Sequence, residues 1–156
     1  MVLKACLLFS FITIAHIVVA NDDTQDITQN GVRYKVLFEL SDYQQVESWC
    51  KELGGHLPSL HSQSDIDFMY KLMPRDSRQG YIFLGARPEG NGWKWDDGTA
   101  MDFSLNRTIE HCGIYEDLND CALVIVAKVG YPWDKTIVNS DRRYAMTGVR
   151  ICRLAQ

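Results

Sequence analysis

Trp49-Cys50-Lys51-Glu52-Leu53-Gly54-Gly55-His56-Leu57-Pro58-Ser59-Leu60 joins the end of a helix, a double-glycine stop and a pair of apolar anchors in twelve residues. Upstream of it, Tyr43, Val46, Trp49, Cys50 and Leu53 recur at helical spacing, so one face is apolar and carries Cys50 inward. Ser41 reads as the N-cap of this helix, with Gln44 as its capping-box partner. Gly54-Gly55 stops it, and Leu57 and Leu60 anchor the chain around Pro58. Before the helix, Val32 to Leu40 is rich in Val, Tyr, Phe and Leu and predicts a first strand.

After it, a second helix starts near Ser62 or Ser64, with Ile66, Met69, Leu72 and Met73 toward the core. It ends before Pro74, because the residue preceding a proline resists helical geometry. From Tyr81 the period changes. Tyr81 to Ala86 and Ala122 to Ala127 read as buried strands, and Trp93-Lys94-Trp95 alternates between bracketing glycines. Residues 99–120 are polar and aperiodic, which marks a functional or disordered loop. Tyr144 to Leu154 closes the chain with apolar residues and Cys152.

The first twenty residues stand apart. Lys4 is followed by an apolar run from Ala5 to Val19, and Val18-Val19-Ala20 places small or short residues where a signal peptidase reads. Residues 1–20 are therefore expected to be a secretory signal peptide, cleaved after Ala20. A membrane span would need roughly 20 apolar residues, more than this run supplies. Residues 21–30 are polar and expected to form a flexible leader. The formal charge is −4 over the 156 residues. Losing Lys4 leaves 15 Lys+Arg against 20 Asp+Glu, or −5. A mildly acidic chain argues against nucleic acid as a partner, since phosphate binding needs a basic stripe.

Of the five cysteines, Cys6 lies in the signal segment; Cys50, Cys112, Cys121 and Cys152 remain. In an exported domain they read as two disulfides, with three connectivities open. Zinc is the competing use, but no Cys-x-x-Cys pair is present.

These segments, in this order, resemble C-type lectin-like domains over residues 31 to 154. Residues 49–60 resemble the first-cysteine helix and Gly-Gly-x-Leu segment of that family. Ile82-Phe83-Leu84-Gly85 resembles its aromatic-x-Gly strand, Trp93-Lys94-Trp95-Asp96-Asp97-Gly98-Thr99 its Trp-x-Trp-x-Asp-Gly hairpin, and Ile151-Cys152-Arg153 its closing strand. The resemblance implies an α+β fold over residues 31–156, two helices packed on antiparallel sheets with a long loop, stapled by disulfides. It implies the pair Cys50–Cys152. Cys121 matches the family's third-strand cysteine, but its usual partner position holds none here. Cys112 is the remaining thiol, so Cys112–Cys121 is the expected second pair, a departure from the family's pattern.

Family members that bind sugars through calcium use a Glu-Pro-Asn or Gln-Pro-Asp loop and a Trp-Asn-Asp strand. Here residues 106–120 contain no proline, and the strand reads Trp133-Asp134-Lys135, with an ammonium where a carboxylate would coordinate. The usual calcium-bridged sugar site is therefore expected to be absent. Calcium is the one cofactor candidate, and its usual ligand motifs are degenerate. Glu110, Glu116, Asp117, Asn119 and Asp120 supply oxygens for some other arrangement; the alternative is a solvated acidic loop. With Trp133 and Asp134 they form the candidate ligand-binding loop. Trp93, Trp95 and Trp133 either stack on a ligand or pack the core, and the fold favours the core. His56, His61 and His111 lack close ligand spacing and read as surface residues. Ser, His and Asp occur without a nucleophile-elbow signature, so no enzyme is expected. Asn106-Arg107-Thr108 is a sequon, expected to carry a glycan on Asn106. The expected function is a secreted, extracellular recognition module for a glycan or glycosylated surface, with host defence as a use by analogy. The alternative is a protein-binding scaffold without carbohydrate activity.

Overall fold

The computed structural model describes residues 24–73, 80–90, 92–102, 109–110, 120–127 and 136–155. Along the chain run β1 (Gln25–Gln29), β2 (Val32–Leu37), β3 (Ser41–Asp42), α1 (Tyr43–Glu52), β4 (Gly55–His56) and α2 (Gln63–Leu72). Then follow β5 (Gly80–Phe83), β6 (Ala86–Glu89), β7 (Gly92–Trp95), β8 (Ile109–Glu110), β9 (Cys121–Ala127), β10 (Thr136–Asp141), β11 (Met146–Thr147) and β12 (Arg150–Leu154). This is the α+β arrangement of two helices with mainly antiparallel sheets.

One four-stranded sheet has the order β1-β2-β12-β4 and a second the order β5-β9-β10-β8. β11 pairs with β3, and β6 with β7. Among the described strands only the two-residue β8 runs parallel to its neighbour, β10. That pairing puts Ile109–Glu110 at the edge of the second sheet.

Strand parity explains the interior. A strand with apolar residues on both faces must be buried on both. In β9, Leu123 and Ile125 enter one core with Ile66 and Met69 of α2, Ile82 and Trp95. The intervening Ala122 and Val124 enter a second core with Tyr43, Val46 and Cys50 of α1, Leu57 and Phe83. β10 divides the same way, Ile137 to the first core and Val138 to the second, as β12 does with Ile151 and Cys152. Cys50 and Cys152 form a disulfide with their Cα atoms 5.3 Å apart, joining α1 to the closing strand.

Four local expectations are corrected. The polar leader at residues 21–30 is not flexible throughout. Gln25–Gln29 pairs along its length with β2, and Asn30-Gly31, at φ 50° and 79°, makes a two-residue hairpin turn. Positive φ at both positions is what a type I′ turn demands, and Asn-Gly supplies it at low cost. The cap of α1 is Asp42 with Gln45, not Ser41 with Gln44. Gln45 N–H donates to Asp42 Oδ1 at 2.8 Å, and Asp42 N–H to Gln45 Oε1 at 2.9 Å. Ser41 is instead drawn into β3 and buried opposite Thr147. The first strand stops at Leu37, and the run from Tyr81 to Ala86 breaks at Leu84-Gly85, dividing between β5 and β6. Gly85 N–H donates to Pro58 O at 2.9 Å, and Gly85 O accepts from Asp96 N–H at 2.7 Å, so this break holds the hairpin against the chain following α1. β10 carries no expectation from the sequence.

Candidate functional site

The second sheet carries β8 at one edge and the β9–β10 ladder inside. Of the residues expected in the ligand-binding loop, Glu116, Asp117, Asn119, Trp133 and Asp134 lie outside the described residues, as do Lys135, His111, Asn106 and Cys112. Glu110 sits on β8, opposite Asn139 of β10. Asp120 stands at the mouth of β9, where its carbonyl accepts the Arg142 backbone N–H at 2.8 Å and its carboxylate lies 3.8 Å from the Arg143 guanidinium. Cys121 is disulfide-bonded, and the residue expected as its partner lies outside the described ones. Among the described residues no three His, Cys, Asp or Glu side chains gather as a cation's ligand set.

Two grooves open beside α1. One, of about 400 Å³, is lined by Glu47, Lys51, His56, Arg87, Asp96 and Arg142, among others. The other, of about 340 Å³, is lined by Asp42, Tyr43, Gln44, Glu47, Arg142 and Arg143. Arg142 and Glu47 belong to both. Tyr43 lies beneath, buried, with Arg142 4.4 Å above its ring centroid. Burial pushes the Tyr43 phenol up to about 12, against the opposing pull of Arg142. The sequence reading missed Arg142 and Arg143; their signal is an adjacent arginine pair directly after a β-strand.

On another side, the turn after β7 gathers a polar cluster. The Ser59 hydroxyl donates to Asp97 Oδ2 at 2.6 Å and accepts from Arg153 Nη1 at 2.6 Å. Arg153 also donates to Asp97 at 3.2 Å. Thr99 N–H and hydroxyl both donate to Asp97 Oδ1, at 2.9 and 2.5 Å. His61 Nε2 lies 3.3 Å from Ser59 Oγ and 3.1 Å from Thr99 Oγ, and its Nδ1 3.0 Å from Asp102.

Ser59, His61 and Asp102 thus have the connectivity of a hydrolytic relay, but not its chemistry. The Ser59 proton is committed to Asp97 and the residue is 3% exposed, so no substrate carbonyl can reach it. The cluster instead pins β12 to the β7 turn and to the chain entering α2. His61 is therefore part of a network, more than the surface histidine expected. Trp95 is core, fully buried, and Trp93 packs partly buried against the same core.

The Asp97 side chain is 7% exposed. Burial alone would raise its carboxyl, but hydrogen bonds from Ser59 and Thr99, with His56 nearby, outweigh that and hold it below the ordinary carboxylate range. A carboxyl held low when folded stabilises the fold above its unfolded value of about 3.9, and loses that stabilisation as pH falls through the folded value. Asp97→Asn is therefore expected to lose about 3 kcal/mol at pH 7, leaving Arg153 without its charge partner. Thermal melts at pH 7 and pH 2.5 check this; the gap from wild type should narrow in acid, and an equal gap at both would refute the argument.

Residues 39–144, more than half of the chain, match the lectin C-type domain. Snaclec 3 of Sistrurus catenatus edwardsii is 31% identical over 102 residues, covering 57% of this chain and 66% of its own length. A galactose-binding C-type lectin isoform of Pseudechis australis is 32% identical over 82 residues, covering 49% of this chain and 52% of its own. The chain spans less than two thirds of the length of these relatives. Among solved structures, a calcium-independent type II antifreeze protein superposes with a TM-score of 0.62 over 83% of this chain and 91% of that one, at 23% identity. That likeness concerns the fold alone. With its matching helices, sheets and end-to-end disulfide, this chain belongs to the C-type lectin domain family.

Proposed function

We propose that this domain is a secreted recognition module that binds a glycan or a glycosylated surface without the usual calcium-bridged sugar site. The observation that carries the reading is the lectin C-type match across residues 39–144, with a galactose-binding lectin among the relatives. Two cores, one on each face of β9, give such a module a rigid base, and no described constellation supports catalysis. Independence from calcium is supported by the proline-free residues 106–120, by Lys135 and by the pairing of Asp120 with Arg143. Cleavage after Ala20, a glycan on Asn106 and the pair Cys112–Cys121 belong to the same proposal, with host defence as its setting by analogy of fold.

The protein-binding alternative has its own support. Phe38, Leu40, Tyr144 and Met146 are exposed. Phe38 and Leu40 lie between β2 and β3, and Tyr144 and Met146 lie beside or within β11, the partner strand of β3. Exposed large apolar residues gathered near one ribbon mark an interaction surface.

The test uses protein secreted from eukaryotic cells. Its intact mass and non-reducing peptide map should show Asn21 first, mass loss on deglycosylation and a Cys112–Cys121 peptide. The same protein on a glycan array should bind the same glycans with millimolar calcium and with a chelator. Signals abolished by the chelator would overturn the calcium-independent reading, and a blank array would transfer the function to the protein-binding alternative.

A further inference from the structure

The grooves beside α1 contain an imbalance of charge. Lys51 pairs with Glu47 at 3.0 Å, Arg87 with Asp96 at 3.2 Å and Arg143 with Asp141 at 2.7 Å. Arg142 lines both grooves and, among the described residues, pairs with no carboxylate. It is nevertheless held firmly. Nε donates to Cys121 O at 2.7 Å, Nη2 reaches Ala86 O at 3.5 Å, and the guanidinium lies over the Tyr43 ring. Nη1 has no hydrogen bond among the described residues, and no Arg142 nitrogen is a buried atom lacking a partner, so its N–H groups reach solvent. A planar fork of donors, fixed in place and lacking a counter-ion, is prepared for a carboxylate.

The rest of the lining selects among acids. Asp42, Glu47 and Asp96 would repel a densely charged chain. Gln44, His56 and the paired charges offer donors and acceptors side by side, which suits hydroxyl groups around a single anion. We propose that Arg142 anchors the carboxylate of an acidic sugar, uronic or sialic, with neighbouring hydroxyls held along the two grooves. The inference rests on the glycan-binding reading and places that function at the grooves beside α1, next to Asp120, whose carbonyl accepts from the Arg142 N–H.

Calorimetric titration of the full secreted protein tests it with five probes: tri-galacturonic acid, its methyl ester, sialyllactose, lactose and tri-glutamate. At least one acidic sugar should bind tenfold or more tighter than its neutral counterpart, and the pair that shows the preference identifies the source. Tri-glutamate should bind more weakly. Arg142→Gln should abolish the tenfold preference and Arg142→Lys should retain part of it, since lysine keeps charge but not the fork. Because Arg142 also secures the β9–β10 end, a second variant leaves its supports untouched. Glu47→Gln removes a repelling carboxylate, releases Lys51 from its ion pair and should tighten the acidic sugar about threefold, roughly 0.7 kcal/mol at tenfold per 1.4 kcal/mol.

Equal binding of acid and neutral sugars, or an unchanged preference in folded Arg142→Gln, overturns the inference and leaves glycan binding standing. Tri-glutamate binding as tightly as the acidic sugar overturns it in favour of an acidic protein partner. Failure of all five probes, together with a blank array, removes both readings.

Discussion

Replacing Cys50 and Cys152 together with alanine is expected to destabilise the domain by about 4–5 kcal/mol, the largest loss from any single linkage described. The cross-link spans 102 positions. A closed loop of that size removes about 4.7 kcal/mol of chain entropy from the unfolded state. Both residues are fully buried in the second core, where alanine leaves modest voids but no unsatisfied polar group. At about 3 °C per kcal/mol for a chain of this size, the thermal midpoint should fall by roughly 15 °C. Urea unfolding of wild type and variant, both with the remaining cysteines oxidised, measures the difference. A loss under about 1 kcal/mol would mean that the unfolded chain is already restrained between these positions.

Trp95→Ala is expected to cost about 3–5 kcal/mol, the range for emptying a large aromatic site in a packed core. Trp95 is fully buried among Leu60, Met69 and Leu123 of the first core. Among the described residues its indole N–H has no hydrogen-bond partner. An unpaired buried donor costs about 1–3 kcal/mol, so removing it offsets part of any loss of volume. Trp95→Phe should therefore cost less than about 2 kcal/mol, well below the alanine variant. Denaturant midpoints of the two variants decide this; equal losses would show that the indole nitrogen contributes to the fold.

How far the fold is legible from sequence depends on whether the signal is local. The apolar faces of α1 and α2, the unbroken apolar run of β9 and the paired tryptophans of β7 are local, and each becomes the expected element. The cap of α1 is ambiguous at that level. Ser41 precedes Gln44 and Asp42 precedes Gln45 by the same three residues, so both registers look alike. Long-range pairing of β3 with β11 decides between them, aided by Arg150, whose Nε donates to Ser41 Oγ at 2.7 Å. β1 is hidden for another reason. An edge strand buries little, and only Ile27 packs against the core; the Asn-Gly turn after it was the available clue.

The candidate sites depend still more on distant parts of the chain. Ser59, Asp97 and Arg153 are separated by 38 and 56 positions, and nothing near any one of them announces the others. Arg142 is likewise ordinary in sequence. Its character comes from the Tyr43 ring beneath it and from carbonyls contributed by β6 and β9.

The end-to-end staple also determines how the domain would bear a pulling force. β12 lies against β2, and β2 against β1. Tension applied at Gln25 and Leu154 enters one side at Cys152, crosses the sulfur bridge to Cys50 and leaves through α1, β3 and the hairpin. Only the stretch before Cys50 can then peel and lengthen. Everything between the bridged cysteines, including β5 through β10 and Arg142, lies outside the line of force, whereas the α1 side of the grooves, Asp42 to Glu47, lies within it. A recognition surface in that enclosed region would stay assembled while the chain ends are under load.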